Sequence, residues 1–290
     1  MGEADSGGIG ATALRVAVRR AAHQLLDEPR VFEDPLALGI IGEREAAKLR
    51  SRIGGKEREW NNSLRAWIAA RSRYAEDRLA EAVRGGVSDY VVLGAGLDTF
   101  AYRNPYDGLR VWEVDLADAQ AAKRRMLGEA GIRVPDTVRF VAVDFERESL
   151  RERLDEHGFA GREAFVSWLG VTPFLGQEAF ARTLRELEEI AAQVVFDYAV
   201  RGEELDEADR FAQELIARRV AAAGEPYRLS FSLGQEFAGF RVMEDLGKDE
   251  VNARYFGGRG DGLRVAFTAT RLVSCVPAKR CGSRVGSVPH

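Results

Sequence analysis

The sequence predicts an α/β protein built on a doubly wound, mostly parallel sheet. Three observations carry that expectation. After Gly86, short β-rich runs alternate with helical segments four times over, the signature of a parallel sheet covered on both faces. The first of those runs ends in a tight Gly94-Ala95-Gly96 turn. Acids then stand just past the ends of the next two runs, at Asp115 and Asp144, where open sheets of this kind place their ligands.

Taken in order, the chain begins with ten small, polar, glycine-rich residues, expected to be without order. Residues 12–26 carry the periodicity of an amphipathic helix, "DEPR" breaks it, and "FEDPLALGIIG" reads as a turn into a short helix. A long helix is expected over 56–83, stopped by Gly85-Gly86. Strands are expected at 89–94, 109–115, 138–143, 164–169 and 194–199, with helices near 116–130, 147–157 and 177–191. Right-handed crossovers between them give the doubly wound arrangement. Another helix follows near 203–222, and "FRVMEDLG" and "LRVAFTATRLVSCV" are expected to close the sheet. The organisation predicted is a helical cap (1–86), a ligand-binding core (87–200), an insertion acting as a lid over a second substrate (201–240), two closing strands (241–276) and a tail without order (277–290).

Composition narrows the function. The 290 residues are 46% hydrophobic and 30% charged with a net charge of −4, a balance that gives no footprint for nucleic acid. No apolar run reaches the ~18 residues needed to span a bilayer. The opening "MGEADSGGIG" has neither the basic nor the apolar region of a signal peptide. Two cysteines, Cys275 and Cys281, make no disulfide framework, so a cytoplasmic location is expected. With only His23, His157 and His290 present, no metal site is expected.

The glycine turn asks for a nucleotide-like ligand. Gly94 and Gly96 let the backbone turn tightly and approach it closely. Asp115, 21 residues beyond Gly94, is placed to accept both ribose hydroxyls of an adenosine. That much suits NAD and S-adenosylmethionine alike. Two residues separate them. Thr99 stands where a dinucleotide turn needs a third small residue. Asp98 would sit beside the two phosphate charges of a dinucleotide and repel them. S-adenosylmethionine has no phosphate, and both its ammonium and its sulfonium favour a carboxylate nearby. At the third strand end, Asp144 can accept from an adenine amino group or cap the following helix, and Phe145 can stack on the ring or offer its N–H.

Together these residues resemble the leucine carboxyl methyltransferase family, in particular its bacterial branch of S-adenosylmethionine-dependent methyltransferases, which includes polyketide O-methyltransferases. The similarity rests on "ATAL", "FEDPLA", "ARSRYAED", "VVLGAGLDTFAYR", "VWEVDLADAQAAK", "VAVDF" and "RYFGGRGDGLR", and so runs over nearly the whole chain. It implies a class I, Rossmann-like methyltransferase fold and a role for each matching residue. Arg71 is the implied clamp on the donor's methionine carboxylate, a bidentate task suited to a guanidinium, with Arg73 as the fallback. Gly94, Ala95 and Gly96 are implied to face the methionine part, Asp115 the ribose, and Asp144 and Phe145 the adenine; Asp98 and Glu113 are also expected among the donor-binding residues. The family commonly carries an acid near the fourth strand end; here the stretch reads "SWLGVTPFL", with Leu169 at that position. Trp168 and Leu169 are therefore expected to line an apolar wall, and the acceptor pocket to be correspondingly apolar.

Methyl transfer is an in-line displacement that needs alignment and exclusion of water. Bases are few: His23, Asp197, Tyr198 and Tyr255 are the candidates, since His157 sits at an expected helix end and His290 in the tail. The expected acceptor is therefore a small molecule with an oxygen that is already acidic, a carboxylate or phenol of the secondary-metabolite type. Arg201, Tyr227, Arg228 and Phe231 of the insertion are the expected acceptor contacts. The alternatives are a donor-binding protein that does not methylate, and an NAD(P)-dependent oxidoreductase; for the latter the sequence offers no Tyr-x-x-x-Lys motif.

Overall fold

The computed structural model describes residues 10–55, 58–161 and 163–278. Its first elements are helical: α1 (Ala11–Leu26), α2 (Ala37–Ile40), α3 (Gly42–Arg50) and α4 (Glu59–Arg84). There follow β1 (Asp89–Leu93), α5 (Phe100–Arg103), β2 (Arg110–Asp115), α6 (Ala117–Glu129), β3 (Val138–Ala142), α7 (Leu150–Glu156), β4 (Ala164–Trp168), α8 (Gln177–Ile190) and β5 (Ala191–Ala199). The remainder holds α9 (Glu207–Ala221), β6 (Phe240–Leu246), α10 (Lys248–Tyr255) and β7 (Thr270–Pro277). Of the segments expected to be without order, residues 1–9 and 279–290, with Cys281 and His290, lie outside the described residues, as does the expected helix start at Lys56. Pro277, expected in the tail, instead ends β7, and Ala278 N–H donates to Gly239 O at 2.9 Å.

The seven strands form one sheet in the order β3-β2-β1-β4-β5-β7-β6. The first five run parallel, and β7 enters antiparallel between β5 and β6. From β1 the chain winds outward to β3 and then returns to lay β4 on the other side of β1. This reversal is the switch point at which such sheets open a cleft.

Every residue of β1 and of β4 is buried, as expected of parallel strands covered on both sides. Side chains alternate between the two layers. Val91, Leu93, Val166, Trp168, Phe196 and Tyr198 pack into one core. Tyr90, Val92, Phe165 and Val195 pack into the other, against Trp67, Ala70 and Tyr74 of α4. A third cluster, including Ala17, Ala21, Ile40 and Leu97, seats α1 and α2 over the glycine turn.

Three expected elements are shorter in the structure, each for a hydrogen-bonding reason. The helix expected near 147 starts at Leu150 because the Ser149 hydroxyl accepts from Glu152 N–H at 3.1 Å. The helix expected near 203 starts at Glu207, where the Asp206 carboxylate caps Asp209 N–H at 2.8 Å. The final strand begins only at Thr270, because side chains take the preceding N–H groups. Asn252 Oδ1 accepts from Val265, Ser63 Oγ from Ala266 and Phe267, and Asp209 Oδ1 from Thr268. Helix α10 is an element that the pattern reading did not foresee.

Candidate functional site

A cleft of about 660 Å³ opens at the switch point. Its floor is the glycine turn. Gly94 has φ 64°, and a Cβ built on it would stand 2.2 Å from Val171 Cγ2; the backbone conformation and the space both demand glycine. Gly96, with φ 42°, donates its N–H to Asp115 Oδ2 at 2.7 Å, and Leu116 N–H donates to Asp115 Oδ1 at 2.7 Å. The Asp115 carboxylate is thus fixed at the end of β2, facing the cleft. Burial raises its pKa against these two hydrogen bonds.

Asp144 and Phe145 follow β3 and also line the cleft. Asp144 Oδ1 accepts from Glu146 N–H at 3.0 Å, so it closes the turn at 144–148 and not a helix. Ala95, Asp98, Ser167, Leu169 and Gly170 complete this part of the wall.

Arg71 reaches the cleft from α4. Its Nη1 donates to Asp197 Oδ2 at 2.8 Å, and Gly170 N–H donates to Asp197 Oδ1 at 2.5 Å. The guanidinium lies against Gly170, where φ is 72° and a Cβ would fall 2.9 Å from Arg71 Nη2. Asp197 therefore brings a carboxylate to the neighbourhood where Leu169 leaves β4 without one. A carboxylate inside the apolar run "VVFDYA" was the signal in the sequence: a buried acid requires a partner.

Asp98 is less free than the sequence reading supposed. Its Oδ1 accepts from Phe100 N–H at 2.8 Å, and Oδ2 lies 3.8 Å from Arg20. Burial opposes its ionisation, yet Arg20, Lys123 and Arg103 hold its pKa below the usual carboxylate range. The cleft still favours cations: among the described residues six acids line it, Glu76, Asp98, Asp115, Asp144, Glu146 and Glu225, against three arginines, Arg20, Arg71 and Arg228.

A second cavity of about 140 Å³ adjoins the first. Thr12, Val16, Arg71, Gly170 and Phe174 line both. Its walls include Trp60, Trp67, Tyr227 and Phe267. Tyr227 packs edge-on to Phe174 with ring centroids 5.3 Å apart. Burial, then the nearby Asp197 charge, push its pKa up to about 12, so at neutral pH its hydroxyl is a donor and not a base.

Several expected site residues are not brought here. Trp168 is fully buried, stacked on Phe180 at 5.2 Å, because the pleat turns it to the α8 side while Ser167 faces the cleft. Tyr198 shares that face and donates to Asp245 at 2.9 Å. Glu113 lies one pleat repeat deeper than Asp115, paired with Lys123 at 2.7 Å and accepting from Tyr102 at 2.9 Å. His23 is structural: its Nε2 accepts from Val31 N–H (3.0 Å) and Phe32 N–H (3.2 Å), which leaves Nδ1 to donate to Asp27 at 2.7 Å. Tyr255 donates to Asp77, and Arg73, the fallback clamp, is tied to the same carboxylate. Of the four insertion residues, Arg228 lines the first cavity, bonded to Glu146 at 2.8 Å, and Tyr227 the second. Arg201 is exposed, and the Phe231 ring packs on Phe180, Tyr198 and Phe237. Both lie away from the two cavities.

The leucine carboxyl methyltransferase family model matches residues 13–188. YktD of Bacillus subtilis strain 168, named "Putative S-adenosyl-L-methionine-dependent methyltransferase YktD", is 29% identical over 91% of this chain and 97% of its own length. A similarly named protein of Mycolicibacterium paratuberculosis is 31% identical over 94% of each chain. Among solved structures, one titled as a putative methyltransferase from Thermobifida fusca YX superposes with a TM-score of 0.54 at 15% identity, covering 89% of this chain and 94% of that one. This last likeness is one of fold.

Proposed function

We propose that this chain, which belongs to the leucine carboxyl methyltransferase family, methylates a carboxylate or phenol oxygen of a small acceptor of the secondary-metabolite type. It is an S-adenosylmethionine-dependent methyltransferase; the acceptor and the residue roles are the proposal. When bound, S-adenosylmethionine supplies a methyl group made electrophilic by its sulfonium charge.

The chain's own residues suit that donor. Asp197 takes one Nη1 donor of Arg71, and the other guanidinium N–H groups serve the methionine carboxylate. Asp115, pinned by two backbone N–H groups, keeps lone pairs for the ribose hydroxyls. Asp144 takes the adenine amino group and Phe145 lies against the ring. The excess of carboxylates around the cleft favours a cationic ligand over a diphosphate.

The observation that carries the reading is the junction of the two cavities at Arg71, Gly170 and Phe174. A donor in the first and an acceptor in the second meet there, the alignment that in-line transfer needs. Tyr227 lines the second cavity, and its hydroxyl holds its proton and orients an oxygen by donating to it. An acceptor ionised by itself needs no base. The test is incubation with methyl-labelled donor and a panel of aromatic acids, phenols, alcohols and amines. Label is expected in esters or aryl ethers. Transfer only to aliphatic alcohols or amines contradicts the reading.

A further inference from the structure

The second cavity carries positive charge that donor recognition does not use. Arg15 and Arg19 of α1 and Arg219 of α9 line it, and none of them lines the donor cleft. Their hydrogen bonds go to backbone: Arg19 Nη1 donates to Arg15 O at 3.2 Å, and Arg15 Nη1 donates to Arg219 O at 3.3 Å. Arg219 lies over the Trp60 ring at 5.5 Å. Among the described residues none of the three forms an ion pair. Arginines of the neighbouring cap do: Arg20 with Asp34, Arg65 with Asp27 and Arg103 with Glu76. Among the described residues the one carboxylate lining this cavity, that of Asp197, is already engaged by Arg71 and Gly170. Burial and then repulsion by Arg219 and Arg15 push the Arg19 pKa down to about 10. An anion placed among the three relieves that repulsion.

The uncharged wall has its own preference. Trp60 is stacked on Phe267, with ring centroids 5.1 Å apart and planes 22° from parallel. Trp60 Nε1 and Thr12 Oγ1 are buried without a hydrogen-bond partner among the described residues. A volume of about 140 Å³ holds roughly one aromatic ring, since an apolar cavity of ~150 Å³ takes benzene.

We propose that this cavity recognises the acceptor as an aromatic acid: the ring lies in the Trp60 and Phe267 pocket, and Arg15, Arg19 and Arg219 hold a carboxylate that is not itself methylated. The proposal rests on the methyl-transfer reading above and adds the acceptor's class. A carboxylate bound by guanidiniums is a poor nucleophile, and these guanidiniums line only the second cavity. The acceptor therefore carries another acidic oxygen, a phenol or a second carboxylate, directed to the junction of the two cavities beside Gly170 and Phe174. In the step, that oxygen forms a bond to the methyl carbon as the carbon–sulfur bond breaks. The sulfonium charge is lost and an ester or aryl ether and a thioether result; a phenol gives its proton to solvent before the displacement and reacts as the phenolate.

The test is calorimetric titration of 4-hydroxybenzoate and of its neutral counterpart 4-hydroxybenzamide into protein saturated with S-adenosylhomocysteine. The acid is expected to bind at least about tenfold tighter, a gap of about 1.4 kcal/mol, and its advantage to shrink as salt rises from about 50 to 500 mM. The double variant Arg19→Gln, Arg219→Gln should abolish that advantage while leaving the affinities for the amide and for S-adenosylhomocysteine within about twofold. If the double variant does not fold, Arg219→Gln alone, at an exposed side chain, should reduce the advantage. Equal binding of acid and amide, an advantage that survives the substitutions or is insensitive to salt, or binding of neither overturns the proposal. Failure of S-adenosylhomocysteine to bind the wild type is a separate result, which overturns the methyl-transfer reading and this inference with it.

Discussion

At the scale of single residues, the site turns on how Arg71 is held. Asp197 fixes one side of its guanidinium and Gly170 leaves room for it. Arg71→Lys keeps the charge but loses the planar fork, and donor affinity measured by calorimetry should fall about 10- to 100-fold, or about 1.4–2.8 kcal/mol. Gly170→Ala should lower it comparably, because the new Cβ would collide with Arg71 Nη2. It should also cost about 1–3 kcal/mol of stability from the positive φ. Gly131→Ala is the matched control: φ is 64°, and nothing lies within 4 Å of the added Cβ. It should lower the melting temperature while leaving donor affinity unchanged; equal losses of affinity at the two glycines would refute the steric account. The placement of the glycines, Asp115 and Asp144 around the cleft was legible because each stands at or just after a strand end, where the fold class alone places ligands; Arg71, inside α4, was legible only through the family resemblance. Asp197 was seen only as a candidate base. Its role depends on a partner 126 residues away, which no local pattern encodes.

At the scale of elements, the cap is tied together by one buried cluster. Arg65 of α4 donates to both oxygens of Asp27 at 2.7 and 2.9 Å, and His23 of α1 donates to the same carboxylate. Asp27→Ala strips two buried groups of their partner and should cost about 3–5 kcal/mol, read by denaturant unfolding. The sign with pH follows. Burial raises the Asp27 pKa, but the hydrogen bonds from His23 and Arg65 more than offset it and leave it below 3.8. A group depressed in the folded state contributes stability that is complete above its unfolded pKa and is lost as pH falls through the folded value. The wild type should therefore lose stability more steeply than Asp27→Ala below about pH 4; parallel acid-unfolding curves would contradict this. The same scale explains what was misread. Parallel strands covered on both sides have no polar–apolar alternation to report which face a residue takes. "AFVSWL" therefore did not say that Ser167 faces the cleft and Trp168 the core. Glu113 and Asp115 share a face, and only strand register, with Glu113 beside Val92, shows the first to be interior.

At the scale of the whole molecule, the doubly wound sheet was legible from the alternation of strand and helix patterns, and its boundaries were not. Caps such as Ser149 and Asp206 and the side-chain acceptors facing residues 265–268 decided where elements begin. The second cavity was invisible to pattern reading because α1, α4, α9 and the segment before β7 all contribute to it, and sequence gives no account of how such segments converge. The central claim is that the switch-point cleft accepts a cationic adenosyl donor clamped by Arg71. Calorimetric titration of the wild type and of Arg71→Lys with S-adenosylmethionine, with NAD as the competing ligand, tests it most directly. The account predicts one saturable site for S-adenosylmethionine, weakened about 10- to 100-fold in the variant, and no measurable heat with NAD. Binding of NAD in preference, or S-adenosylmethionine binding indifferent to the substitution, would contradict it.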